Sequence, residues 1–269
     1  MLQVIISPAK QMRAAQDAFE SLGIPPFAHE TARLHRALLD IERNEGSGGL
    51  QALWNVSDKL LGPCLDILHE FEPILKNDDL DNPDIARHVS PAVMSYHGIQ
   101  YQSMAPDVMD STQLAWLQSH LWILSGLYGC VRPFHAVEPY RLEMGAKLAV
   151  DDACDLYAFW GDKLARTIAP AGSNTTIVNL ASVEYAKVAL PHLAADVTAV
   201  TCLFGEGVRN GKPIQRSTAS KKARGSMVRW MAENKLEDAS GLTAFNIGYR
   251  YTPELSNKNT LVFLNEQAL

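Results

Sequence analysis

Four short, largely apolar runs, at positions 2–7, 175–180, 197–204 and 261–264, are spread from one end of this 269-residue chain to the other. Strands buried on both faces look like this, because neither face meets water and alternation is lost. Segments with helical spacing separate them, so no part of the chain holds enough strands for its own core. The expected fold class is therefore α/β (mixed α+β). It is read as one compact domain over 1–269, with a mixed central sheet surrounded by helices. No internal repeat or low-complexity tract interrupts that reading.

Local signals refine it. Pro8 ends the first run. A helix is expected over about 30–42, ahead of a glycine-rich hinge, Gly46-Ser47-Gly48-Gly49. Leu50, Leu53 and Trp54 form one apolar stripe and Leu61, Leu65 and Leu68 another, which gives helix, break, helix. Residues 77–90 are polar, contain Pro83, and read as loop. Asp110 or Ser111 caps a helix on which Leu114, Leu117, Leu121 and Leu124 recur at helical spacing, with 125–129 turning into a short strand. Ser182 caps a further helix, with Glu184 in its first turn and Pro191 at its end.

No apolar stretch is long enough to span a bilayer, and the N-terminus lacks a basic segment and a small-residue cleavage site. The chain is expected to stay in the cytoplasm, away from membranes. The four cysteines, at 64, 130, 154 and 202, form no CxxC pair, and the eight histidines form no HExxH pattern. No metal and no cofactor is expected, and no P-loop or Ser-His-Asp arrangement appears by spacing.

Charge is distributed unevenly. The net charge is -6, yet positions 207–232 carry seven basic residues and no acidic one, which leaves -13 on the remainder. The seven are Arg209, Lys212, Arg216, Lys221, Lys222, Arg224 and Arg229. On a helical wheel Lys221, Lys222, Arg224 and Arg229 share one half, with Gly225 between them, while Ala223, Met227, Trp230 and Met231 lie opposite. With Ser217 or Ser220 as N-cap, Lys221 and Lys222 would stand near the first turn, where cations oppose the helix dipole and a phosphate relieves them. Gly225 would let that phosphate approach the backbone. A solvated basic face is the plain alternative; the absence of counter-charge favours an anion site.

Three other segments carry polar groups suited to chemistry. Ser7-Pro8-Ala9-Lys10 places a hydroxyl and a cation just past the first strand, where α/β folds bind ligands, or else forms a simple strand-ending turn. Arg141 and Glu143 lie two residues apart, on one face of an extended segment, as a site or an internal ion pair. Positions 57–63 could form a hairpin whose amides near Gly62 meet a phosphate, or an ordinary helical turn.

Taken together these residues resemble the YaaA family, also called DUF328 or UPF0246. The resemblance rests on Ile6-Ser7-Pro8-Ala9-Lys10, Ser57-Asp58-Lys59-Leu60, Leu124-Ser125-Gly126-Leu127-Tyr128-Gly129 and Arg132-Pro133. It continues through Pro139-Tyr140-Arg141-Leu142-Glu143-Met144-Gly145, Leu156-Tyr157-Ala158-Phe159-Trp160-Gly161-Asp162, Asn179-Leu180-Ala181-Ser182-Val183-Glu184-Tyr185 and Lys221-Lys222-Ala223-Arg224-Gly225. It implies a cytoplasmic peroxide-stress protein that limits oxidative DNA damage by keeping free iron low. It also implies a positively charged cleft and a helix-hairpin-helix-like element that bind DNA, duplex or single-stranded, mostly through phosphate. By position the cleft would hold Lys10, Arg132, Arg141, Lys221, Lys222 and Arg224, joined by Arg229, with Ser57, Lys59 and Gly62 in the hairpin. One departure is Ile99, where the family tends to carry an acid.

The competing expectation is an enzyme, a hydrolase acting on a nucleic-acid base or nucleotide. It would gather Ser7, Lys10, Arg141, Glu143, Asp162 and Glu184 at strand ends, with Glu143 or Glu184 as general acid/base. Direct iron binding ranks last, because the carboxylates show no ligand spacing.

Overall fold

A computed structural model describes residues 1–14 and 19–268; the 1–269 domain reading also covers 15–18 and 269, which lie outside them. Seven strands make the central sheet: β1 (Leu2–Ile6), β2 (Leu121–Ser125), β3 (Gly129–Val131), β4 (Thr176–Leu180), β5 (Thr198–Gly205), β6 (Tyr249–Tyr251) and β7 (Thr260–Asn265). Their order across the sheet is β6-β7-β5-β4-β1-β2-β3. The five inner strands run parallel, and β3 and β6 close the edges antiparallel. Every residue of β1 and β2 is buried, which is why these runs lack alternation.

Six helices matter for the site and its frame: α1 (Ala28–Trp54), α2 (Asp58–Glu70), α3 (Ile99–Met104), α4 (Ser111–His120), α5 (Val183–Ala186) and α6 (Ser217–Glu233). Asp110 caps α4: its carboxylate accepts the backbone N–H groups of Thr112 and Gln113, and the Gln113 side chain answers the Asp110 N–H. One apolar cluster runs from Leu2 to Phe263 and includes residues of α1, α2, α4 and α6. None of the described helices is long and apolar enough to cross a membrane.

The structure changes several local expectations. The α4 pattern does not extend through Leu124; the helix stops at His120 and the chain passes directly into β2. Trp122 and Ile123 favour a strand, and pairing with β1 outweighs the leucine spacing. Residues 125–129 are then the turn between β2 and β3, where the Ser125 hydroxyl accepts the Tyr128 N–H at 2.8 Å. The glycine cluster is a kink rather than a loop. The α1 span is two helices meeting at a kink at Gly46 (φ 70°), so the chain does break there, without a loop, and Leu34 and Leu38 before it and Leu50 and Trp54 after it bury into the same core. Residues 77–90 include a 3-10 helix at Asn77–Asp81 and a helical turn at Pro83–Ala86. Pro191 does not end the helix after Ser182; α5 is already over at Ala186, and Pro191 sits in a separate 3-10 turn.

Candidate functional site

The parallel strands β1 and β4 are neighbours, and the chain leaves β1 for β2 on one side and leaves β4 for β5 on the other, so the two connections depart in opposite directions. Such a point opens a crevice, the usual ligand position in open α/β sheets. A cleft of about 440 Å³ lies there, lined by the segment after β1, the segment after β4, α3, residues 140–143 and one face of α6.

Its floor is fixed by hydroxyl contacts. Ser7, the first residue past β1, accepts the Ser182 backbone N–H on Oγ at 2.8 Å and donates that hydroxyl to Ser182 Oγ at 3.2 Å. The Ser182 side chain therefore does not cap α5 from within; Ser7 serves its amide across the sheet. The Ser7 carbonyl accepts the Tyr101 hydroxyl at 3.0 Å, which ties α3 to the strand end. Tyr140 shares hydrogen bonds with Ser125 at 2.7 Å and Tyr96 at 3.1 Å, and burial pushes its phenol up to about 12. Burial also raises Tyr96, Tyr101 and Tyr185, so this floor presents neutral hydroxyls near neutral pH.

Charge stands above the floor. Oε1 of Glu143 receives Lys10 Nζ at 2.9 Å and Arg141 Nη2 at 2.8 Å, and Arg141 Nη1 donates to the Lys10 carbonyl at 3.2 Å. Oε1 of Glu184 accepts the Gly145 N–H at 2.9 Å. From α6 come Lys221 and Arg224, neither with a carboxylate within ion-pair distance among the described residues. Burial lowers the Arg224 pKa from its ordinary value, and its buried Nε has no hydrogen-bond partner among the described residues. A half-desolvated guanidinium without a counter-charge is costly unless an anion meets it.

Of the residues singled out in the sequence, Lys10, Arg141, Glu143, Glu184, Lys221 and Arg224 meet in this cleft, together with Ser7. The others do not. Arg132 lies at the opposite end of the sheet, where its guanidinium stacks 3.8 Å above the Trp122 ring and donates to the carbonyls of Ser119 and Leu121. Asp162 pairs with Arg166. Arg229 is not free of counter-charge, since its Nε meets Glu233 at 2.7 Å, one turn on. Lys222 is exposed on α6 and does not line the cleft.

The N-cap of α6 is Arg216 rather than a serine, with Ser220 buried, so Lys221 and Lys222 stand in the second turn. Gly225 does not face a phosphate. It is buried against α3, where an added Cβ would stand 2.0 Å from the Gln100 carbonyl oxygen. Ser57 is the N-cap of α2, Lys59 lies in its first turn, and Gly62 and Pro63 are inside the helix. The link between α1 and α2 is therefore 55–57, and Gly62 is not a hairpin amide. The two helices still reach the cleft indirectly, because a small crevice lined by Trp54, Cys64 and Leu68 also touches Arg141.

Gln100, Tyr101, Tyr140, Ser182 and Tyr185 line the cleft without any spacing signal in the sequence. Ile99 lines it too, placing an apolar side chain where an acid was expected. Among the described residues no group of three or more His, Cys, Asp or Glu side chains could hold a metal ion.

A family model described as peroxide stress protein YaaA matches residues 2–255. The chain belongs to the YaaA family. Curated relatives agree along their whole length: a UPF0246 protein of Pediococcus pentosaceus is 39% identical over 267 residues, covering 99% of both chains. A UPF0246 protein of Lactiplantibacillus plantarum is 39% identical over 98% of this chain and 99% of its own. One from Desulfitobacterium hafniense is 38% identical over 99% of each. Membership in YaaA supports a role in peroxide stress.

Proposed function

We propose that this YaaA family member acts in the cytoplasm during peroxide stress by binding DNA through the cleft, and so helps limit iron-dependent oxidative DNA damage. The observation that carries the reading is the meeting of Lys10, Arg141, Lys221 and Arg224, from three distant parts of an acidic chain, around one crevice. Lys10 and Arg141 are already engaged by Glu143. Phosphate contact therefore falls mainly to Lys221 and Arg224, with exposed Lys222 beside them. Phosphate contacts of this kind position a strand and read little sequence. Free thiols at Cys64, Cys130, Cys154 and Cys202 suit a reducing compartment.

With two or three phosphates neutralised, the logarithm of the duplex association constant falls against log salt with a slope of about -2 to -3. Anisotropy titrations of a labelled duplex at several salt concentrations measure it. Binding that ignores salt, or that survives charge reversal of Lys221, Lys222 and Arg224 together, would remove the proposal. The enzyme reading keeps Glu143 and Glu184, which share the cleft, and loses Asp162. Hydrolysis of a nucleotide or modified base that stops in Glu143→Gln or Glu184→Gln would favour it.

A further inference from the structure

The cleft holds more than phosphate chemistry needs. Each of its carboxylates commits one oxygen to the fold: Glu143 Oε1 holds Lys10 and Arg141, and Glu184 Oε1 holds the Gly145 amide. The second oxygen of each accepts no hydrogen bond from the described residues. A DNA backbone offers these oxygens nothing, because phosphodiester and deoxyribose ether oxygens only accept. Acceptors lining a cavity call for donors, and within a strand the donors are the amino and imino groups of the bases. Arg224, whose buried Nε has no hydrogen-bond partner among the described residues, and Lys221 supply the complementary cations lining the same space. A volume of about 440 Å³ is that of a small-molecule pocket, so a duplex lying across its mouth reaches the cations with its backbone but can place only one unit inside.

We infer that the cleft takes a single nucleotide unit, its phosphate on Lys221 and Arg224 and the N–H edge of its base on Glu143 and Glu184. This rests on the phosphate reading above, since the same two cations hold the anion. The unit comes either from a free nucleoside monophosphate or from a strand that has turned one base out of its stack. In the second case the cost of unstacking is recovered by contacts to the base edge.

Titration calorimetry of the full chain tests this with dAMP, dGMP, dCMP and TMP, set against deoxyribose 5-phosphate and inorganic phosphate. At least one nucleotide should bind about tenfold or more tightly than the sugar phosphate, the factor expected for a hydrogen bond to a charged group. Lys221→Ala, at an exposed position that leaves folding intact, should weaken every phosphate ligand together. Glu143→Gln and Glu184→Gln should erase the preference for nucleotide over sugar phosphate, with sugar phosphate bound as well as before or better. A duplex carrying 2-aminopurine separates the sources: its fluorescence rises on binding if the strand supplies the base, and stays level if only free nucleotides enter. Equal affinity for nucleotide and sugar phosphate, beside salt-sensitive duplex binding, would overturn this inference and leave the DNA reading standing. Nucleotide selectivity without duplex binding would do the reverse.

Discussion

Ser7 Oγ lies 2.8 Å from the Ser182 backbone nitrogen, so a side chain at the end of β1 serves an amide at the end of β4. This bond closes the floor of the cleft across 175 residues of sequence. Ser7→Ala leaves that partly buried amide without an acceptor and should cost about 1–3 kcal/mol. Urea denaturation measures it. A loss below about 0.5 kcal/mol would mean that the contact holds nothing together. Ser7→Thr, which keeps the hydroxyl, should recover most of the loss.

Gly225 decides how closely α6 approaches α3. An alanine Cβ would stand 2.0 Å from the Gln100 carbonyl oxygen, a backbone atom that cannot rotate away. Gly225→Ala should destabilise the fold by about 3 kcal/mol, at the upper end of overpacking costs. It should also weaken ligand binding, because the displaced α3 carries Ile99 and Gln100 into the cleft. Gly48, exposed inside α1, where an added Cβ would meet nothing within 4 Å, is the control: Gly48→Ala should stabilise by about 1 kcal/mol.

Two arginines separate structure from binding. Arg132→Ala removes a stack on Trp122 and two carbonyl contacts, and should lower stability by about 1–2 kcal/mol while leaving nucleic-acid affinity unchanged. Arg224→Ala should do the opposite, weakening binding with little effect on melting, because its buried Nε has no hydrogen-bond partner and its charge no ion-pair partner among the described residues. Paired melts and anisotropy titrations compare them; loss of DNA affinity in Arg132→Ala would contradict the placement of the cleft.

Two buried groups pull the pH dependence of stability in opposite directions. Burial pushes Glu138 up to about 7, so the folded chain holds a proton that the unfolded chain releases from about 4.5 upward, and stability falls as pH rises through that window. Burial lowers His135 to about 4, so the unfolded chain binds the proton first below 6.5, and stability rises with pH between those values. The slopes partly cancel in the wild type. Glu138→Gln keeps an acceptor for the Glu72 N–H and removes one of them. Relative to wild type the variant should gain stability as pH rises from 4.5 to 8, on the order of 3 kcal/mol, and should expose the upward slope from His135. Urea titrations at pH 4.5, 6 and 8 test this; a difference that does not change with pH refutes it.

The sequence by itself determined what depends on neighbours along the chain. Its apolar runs gave β1, β4, β5 and β7, the Asp110 cap began α4, and the buried face of α6 was legible in Ala223, Met227 and Met231. The ordered motifs carried the family. Tertiary structure decided everything that depends on which strand lies beside which. Leucine spacing could not say that α4 yields to β2 at Leu121, because pairing with β1 supplies energy that no local window contains. Nor could motif order distinguish Arg132 from Arg224: both are basic residues within family-like motifs, but one meets the amino ends of the parallel strands and the other their carboxyl ends. The cleft exists because β1 sits between β2 and β4, and strand order is a property of the packed sheet that residue spacing does not encode.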